Sequence, residues 1–151
     1  MESQTIRATT ILAVVGLGVV LSTVVFGILS ASQTVQNSGT ITAVGVNVYS
    51  DNGCTQKLLR IDWGSLTLGT KKNFTAYVRN EGTVAVTLTM TTGNWSSQQA
   101  STYLKLTWNR EGYKLSHQTT SQAVLTLSVP SNITGVDNFS FDITITGTQA
   151  S

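Results

Sequence analysis

The chain is poor in the residues that carry most chemistry and most cross-linking. It has one cysteine, Cys54, one histidine, His117, and one proline, Pro130. A lone cysteine closes no disulfide within the chain. The fold must then stand on its apolar core, which a domain of about 100 residues can do. Cys54 is expected to be a small buried hydrophobe. One His and one Cys cannot fill a zinc site. His117 lies in the polar run KLSHQTT and reads as a surface side chain, and no Gly-x-Ser-x-Gly elbow is present to offer it a serine. Charge is scarce as well. Only 11% of residues are charged, and 9 basic against 7 acidic residues leave a net charge of +2, a balance without the basic footprint of a nucleic-acid binder. The carboxylates are scattered, without a close pair for acid–base work. Asp51 with Asn52, and Asp137 with Asn138, are oxygen donors of the calcium-loop kind, but Asx turns account for both pairs more simply. The expectation is a protein that is not an enzyme and has no catalytic residue, no cofactor, no metal and no nucleic-acid partner.

What is abundant is hydroxyl and apolar surface. Ser and Thr together supply 41 residues, so the polar exterior is uncharged. Thr-rich sequence suits strands, because β-branched side chains fit a pleated surface.

From Ala8 to Ser50 there is no charge at all. Within that stretch, residues 11–31 read ILAVVGLGVVLSTVVFGILSA, 21 residues with only Ser22, Thr23 and Ser30 polar. As a helix they would span roughly 31 Å, matching a hydrocarbon core of about 30 Å. Three fates are open: a permanent single-span anchor, a signal peptide cut near Ser30-Ala31-Ser32, or a prepilin-like segment whose leader ends at Arg7-Ala8 and whose helix survives cleavage. Arg7 before the span and no charge after it until Asp51 place the N-terminus in the cytoplasm and the rest outside. Thr23, Gly27 and Ala31 recur every four positions, a small-xxx-small spacing that permits close helix–helix packing. The expected organisation is a leader at 1–10, a hydrophobic transmembrane helix at 11–31, a polar linker at 32–40, a domain at 41–147 and a frayed tail at 148–151.

Period-two alternation dominates 41–147, the pattern of half-buried strands. Apolar sets such as Val44/Val46/Val48, Leu59/Ile61/Trp63, Phe74/Ala76/Val78 and Val84/Val86/Leu88/Met90 alternate with polar residues. So do Leu104/Leu106/Trp108, Ala123/Leu125/Leu127/Val129 and Phe139/Phe141/Ile143/Ile145. Strands with one apolar face must pair face to face, which predicts an all-β, two-layer antiparallel sandwich of immunoglobulin-like or jelly-roll-like type behind one N-terminal helix. Asn80-Glu81-Gly82 reads as a hairpin turn, Asn109 to Gly112 as another turn, and Pro130 as a strand stop.

The run IDWGSLTLGTKKNFTAYVRNEGTVAVTLTM, residues 61–90, resembles the G-x-L-x-x-G … V-x-N-x-G core of secreted archaeal and bacterial sandwich proteins. It is similar to TasA/camelysin-type filament subunits and to archaeal pilin-like surface proteins. Gly64, Leu66, Gly69, Asn80 and Gly82 stand at the matching positions, and FSFDITITG resembles a terminal strand of the same class. Leu68 departs from the pattern, where a proline is usual before the glycine. The resemblance implies a cell-surface structural protein that self-associates, located in the membrane with its domain outside or in an extracellular filament. The competing function is a single-span, membrane-anchored domain that binds a carbohydrate or a protein.

Four motifs fit Asn-x-Ser/Thr: Asn73, Asn94, Asn132 and Asn138 head them. Chance would give about two or three in a chain this rich in Ser and Thr, so glycosylation on an extracytoplasmic face is an open hypothesis. Of the tryptophans, Trp63 and Trp108 fall on apolar faces and read as core. Trp95 falls in a loop, where it either anchors that loop or stands exposed to stack on a ligand or neighbour.

Overall fold

The computed structural model describes residues 37–134, 136 and 138–151. They form two sheets around one apolar core, as the alternation requires. Sheet A contains β1 (Ser38–Val44), β3 (Arg60–Asp62), β5 (Val86–Gly93), β7 (Lys114–Leu115) and β9 (Ser140–Gln149), in the order β3-β1-β9-β5-β7. Sheet B contains β2 (Asn47–Tyr49), β4 (Lys71–Arg79), β6 (Lys105–Trp108) and β8 (Thr120–Ser128), in the order β2-β4-β8-β6. One short helix, α1 (Gln98–Tyr103), lies between β5 and β6 and is capped by the Ser97 side chain.

Odd-numbered strands lie in one sheet and even-numbered strands in the other, so each connection between described strands crosses from layer to layer. This corrects the hairpin expectation at 80–83. β4 and β5 are in different sheets, and Asn80-Glu81-Gly82 is a corner between layers. Both assignments need the same turn chemistry, residues that tolerate tight backbone, so the local pattern could not separate them. A second correction concerns pairing sense. β1 runs parallel to β9, from Ser38 opposite Ser140 to Val44 opposite Thr146, while the other pairs are antiparallel. A parallel pair needs a crossover between its strands, and here nearly the whole domain supplies it.

The alternation places side chains as expected wherever a strand is continuous. Ala123, Leu125, Leu127 and Val129 point inward from β8 and the residue after it, facing Leu88, Ile143 and Ile145 from sheet A; all are buried. Each of the leucines, isoleucines and valines among them contributes about 1.5–3 kcal/mol by leaving water. Three apolar positions read as inward are exposed: Val44 (51%), Leu59 (68%) and Val84 (46%). All three sit where a strand ends or has not begun. Leu58, and not its neighbour, is the buried residue before β3.

Val44 is exposed because the chain leaves sheet A immediately after it. Gly45 has φ +71°, and a Cβ there would collide with the carbonyl oxygen of Gly147. Only glycine accepts both the left-handed backbone and this approach. Val46 and Val48 are then buried from the other layer.

The register defines two ends of the sandwich. The near end gathers the starts of β1, β4, β6 and β9 with the ends of β3, β5 and β8. The far end gathers the ends of β1, β4 and β9 with the starts of β2, β5 and β8. Pairing reaches beyond the expected domain limits. β1 starts inside the segment read as linker, and β9 continues to Gln149, with Ala150 N–H donating to the Ala85 carbonyl at 2.9 Å. The leader with Arg7 and Ala8, the apolar run at 11–31 and its small residues Thr23, Gly27 and Ala31 lie outside the described residues. No helix among the described residues is long and apolar enough to cross a membrane.

Candidate functional site

Buried asparagines pin both ends. At the near end Asn37 is 3% exposed. Its Nδ2 donates to the Gly64 carbonyl at 3.1 Å and its Oδ1 accepts from Phe139 N–H at 3.3 Å, while its own carbonyl accepts from Trp63 N–H at 2.8 Å. One side chain thus joins the start of β1 to the segments after β3 and before β9. At the far end Asn80 is fully buried. Its Nδ2 donates to the Val84 carbonyl at 2.8 Å and the Leu115 carbonyl at 3.2 Å, and its Oδ1 accepts from Gly82 N–H at 3.0 Å. Asn80 was legible only as a turn residue. Its burial comes from β7, whose contact with the corner has no local signal.

A polar group surrounds Glu81 beside that corner. Tyr49 donates its hydroxyl to Oε1 at 2.8 Å, Asn47 donates Nδ2 to Oε2 at 2.7 Å, and Arg79 Nε lies 3.7 Å from Oε1. The hydrogen bond to the carboxylate holds the Tyr49 phenol above its ordinary pKa, with desolvation adding to it. This group ties the β2 edge to the corner, which is the geometry of a structural clamp.

The residues weighed for chemistry are dispersed. His117 is exposed in the turn after β7. Cys54 is half-exposed, not buried, in a turn with φ +54°, its Sγ 3.5 Å from Thr120 Oγ1. Asp51 does form an Asx-type turn. Its carboxylate accepts from Gln56 N–H at 2.8 Å and from Thr55 N–H and Oγ1, which lowers its pKa. Asp137 lies outside the described residues. Among the described residues no three His, Cys, Asp or Glu gather as a metal cluster. A cavity of about 180 Å³ opens where the chain passes between sheets, lined by Ile41, Ala43, Val48, Leu58 and Leu59 with Asn47 and Lys57. It has room for one side chain and little more.

Trp95 anchors its loop. Its ring stacks on Phe141 at 4.2 Å between centroids and 9° between planes, with Phe139 beyond, 6.3 Å from Trp95. Trp63 is core, edge-on to Phe74, and Trp108 is half-buried with Nε1 donating to Glu111 at 2.7 Å.

The outer face of sheet A is a threonine lattice. Cross-strand rows run Thr42–Thr144–Thr91 and Val44–Thr146–Thr89 over β1, β9 and β5 without a charge, flanked on the same face by Asp142 in the row of Thr40 and by Lys114 in the row of Thr87. The sheet edges are short: three residues in β3, two in β7, three in β2 and four in β6. Three of these edges carry a cation, Arg60, Lys114 and Lys105. Short charged edges resist strand addition.

The four Asn-x-Ser/Thr asparagines, spread over 66 positions from Asn73 to Asn138, come together at the near end, and all four are exposed. Asn73 is the third residue of β4, opposite Thr126. Asn94 follows the last residue of β5, and Asn132 and Asn138 lie in the β8–β9 connection. Their amides differ. Asn73 uses its carbonyl oxygen, accepting from Thr126 Oγ1 at 2.8 Å. Asn94 uses its nitrogen, donating Nδ2 to the Asp142 carboxylate at 2.6 Å, with φ +49°.

No family model matches the chain, and no curated protein matches it. The resemblance therefore rests on its motif positions, and each of these has a structural task. Gly64 and Gly69 take positive φ, at +56° and +73°, in the loop between β3 and β4. Leu66 packs on the core between them, and Leu68, the departing residue, is 54% exposed. Asn80 and Gly82 build the far corner.

Proposed function

We propose that this chain is an extracytoplasmic structural protein, a subunit of a pilus-like or filamentous cell-surface assembly. The reading rests on one juxtaposition. An uncharged apolar segment long enough to span a bilayer, 11–31, precedes by only a short linker a sandwich whose sheet A carries two uncharged, mostly threonine rows at the middle of its outer face. Arg7 ahead of the apolar segment favours an N-terminus inside and a domain outside.

Two modes of self-association were open in the sequence: helix packing through Thr23, Gly27 and Ala31, and addition of a neighbour's 34–48 segment to a sheet edge. The sandwich favours the first. β1, the middle of that segment, is paired on both sides inside its own sheet, with β3 over Ser38–Thr40 and with β9 over its whole length. The outermost strands that would receive a donor are short, and three of the four carry a cation. A filament with bundled helices at its core and sandwiches displayed outside needs neither an open edge nor a displaced strand.

Electron microscopy of material sheared from the cell surface, with mass spectrometry of any filaments, tests this. Filaments containing the chain are expected. Gly27→Leu should reduce their yield while leaving the sandwich folded, because a bulky side chain blocks close helix approach. Surface fractions in which the chain is only a detergent-soluble monomer would overturn the proposal and favour a membrane-anchored binding domain.

A further inference from the structure

We infer that the near end of the sandwich is a glycan-bearing surface, modified at Asn73, Asn132 and Asn138 and left bare at Asn94. The inference rests on the outward orientation proposed above, since sugar donors of this kind act on extracytoplasmic faces.

The observation behind it is spatial. The chain crosses between layers at each step, so asparagines far apart in sequence are free to fall at opposite ends, yet all four of these meet at one. The far end is built from corners that a large substituent would disrupt. Asn80 is fully buried there and Asn47 is bonded to Glu81, and neither heads an acceptor motif.

The chemistry selects among the four. In the transfer, the side-chain nitrogen Nδ2 bonds to the anomeric carbon of a sugar carried on a polyprenyl phosphate or pyrophosphate. The bond from that carbon to the carrier oxygen breaks, the phosphate leaves with the electron pair, and Nδ2 gives one proton to a base. Nδ2 must therefore be accessible. In Asn73 the internal hydrogen bond engages Oδ1 and not Nδ2, on an exposed strand face, with the motif's Thr75 also exposed. Asn132 and Asn138 are exposed in the β8–β9 connection. In Asn94 the nitrogen itself is held by the Asp142 carboxylate. That bond is 2.6 Å long and engages the atom that would accept the sugar. Sugar at the other three sites would surround the near end with bulky, hydrated chains.

The test is site-localised glycopeptide mass spectrometry of the full chain isolated from the surface fraction of the cells that make it, alongside protease digestion of intact cells. Expected are sugar masses on the peptides carrying Asn73, Asn132 and Asn138 and little or none on Asn94. Asp142→Ala should release Nδ2 and raise occupancy at Asn94 toward that of the others. Unmodified Asn73, Asn132 and Asn138 on a domain that external protease digests overturn the inference and leave the orientation standing. A domain protected until lysis and bare at all four sites means the orientation itself failed, and the inference falls with it. Asn94 modified as fully as Asn73 in the parent chain overturns selection by the folded geometry.

Discussion

Replacing Asn80 with alanine removes three hydrogen bonds that hold the far corner closed. The groups left behind are the Leu115 carbonyl in a buried position and the Val84 carbonyl and Gly82 N–H in partly buried ones. A buried polar group stripped of its partner costs about 1–3 kcal/mol, and one that water still reaches costs less. Taking about 2 for Leu115 and about 0.5 for each of the others gives roughly 3 kcal/mol. In a domain of this size that lowers Tm by roughly 12 °C, at about 4 °C per kcal/mol. Asn80→Asp keeps the shape but turns a carboxylate oxygen toward two carbonyls, and its behaviour should depend on pH. Burial raises the folded-state pKa of that carboxyl above its unfolded value. Its protonated form is tolerated at pH below the ordinary carboxylate range, and stability falls as pH rises through and above that range. Urea unfolding of a fragment spanning 37–151, followed by tryptophan fluorescence between pH 3 and 8, measures both effects. An Asn80→Ala midpoint equal to the parent, or an Asn80→Asp loss that does not vary with pH, would refute the reasoning.

Gly45→Ala should cost about 2 kcal/mol or more in the same assay, since it combines positive φ with a clash against the Gly147 carbonyl. Ile143→Ala, at a fully buried site, should lose about 2–5 kcal/mol, while Thr144→Ala on the outer face should stay within about 0.5. The fragment 41–147 should be markedly less stable than 37–151, because it lacks the Asn37 pin, the β1 pairing over Ser38–Thr40 and the end of β9; equal thermal midpoints would contradict that. The Asp51 carboxylate has a lowered pKa, so its contribution is present above the ordinary carboxylate range and is lost as pH falls through it. The stability gap between parent and Asp51→Ala should accordingly shrink toward low pH, read from the same unfolding curves.

Strands and their inward faces were legible because alternation is a local property. The row from Phe139 to Ile145 is buried at every second position, as the pattern requires. What could not be read was which strand pairs with which. The Asn80-Glu81-Gly82 turn has the chemistry of a hairpin and serves as a corner. The Val44/Val46/Val48 set keeps its period across Gly45 although the chain changes sheets there. Both errors have one cause: pairing in this fold is set by long-range contacts that leave no trace within ten residues. The same holds for the pins. Asn37 and Asn80 differ in no local way from Asn52 or Asn109, and only the folded chain buries them. The acceptor motifs were visible one by one, whereas their meeting at one end depends on the alternating path between layers.

The proposed function requires surface polymers built through the apolar segment 11–31. The most direct measurement is the N-terminal residue of the chain in filaments sheared from intact cells, by mass spectrometry. A pilus-like subunit is expected in filaments with 11–31 retained, beginning near Thr9 if the leader ends at Arg7-Ala8. A surface form beginning near Gln33, or an intact Met1 found only in detergent-extracted monomer, would contradict it.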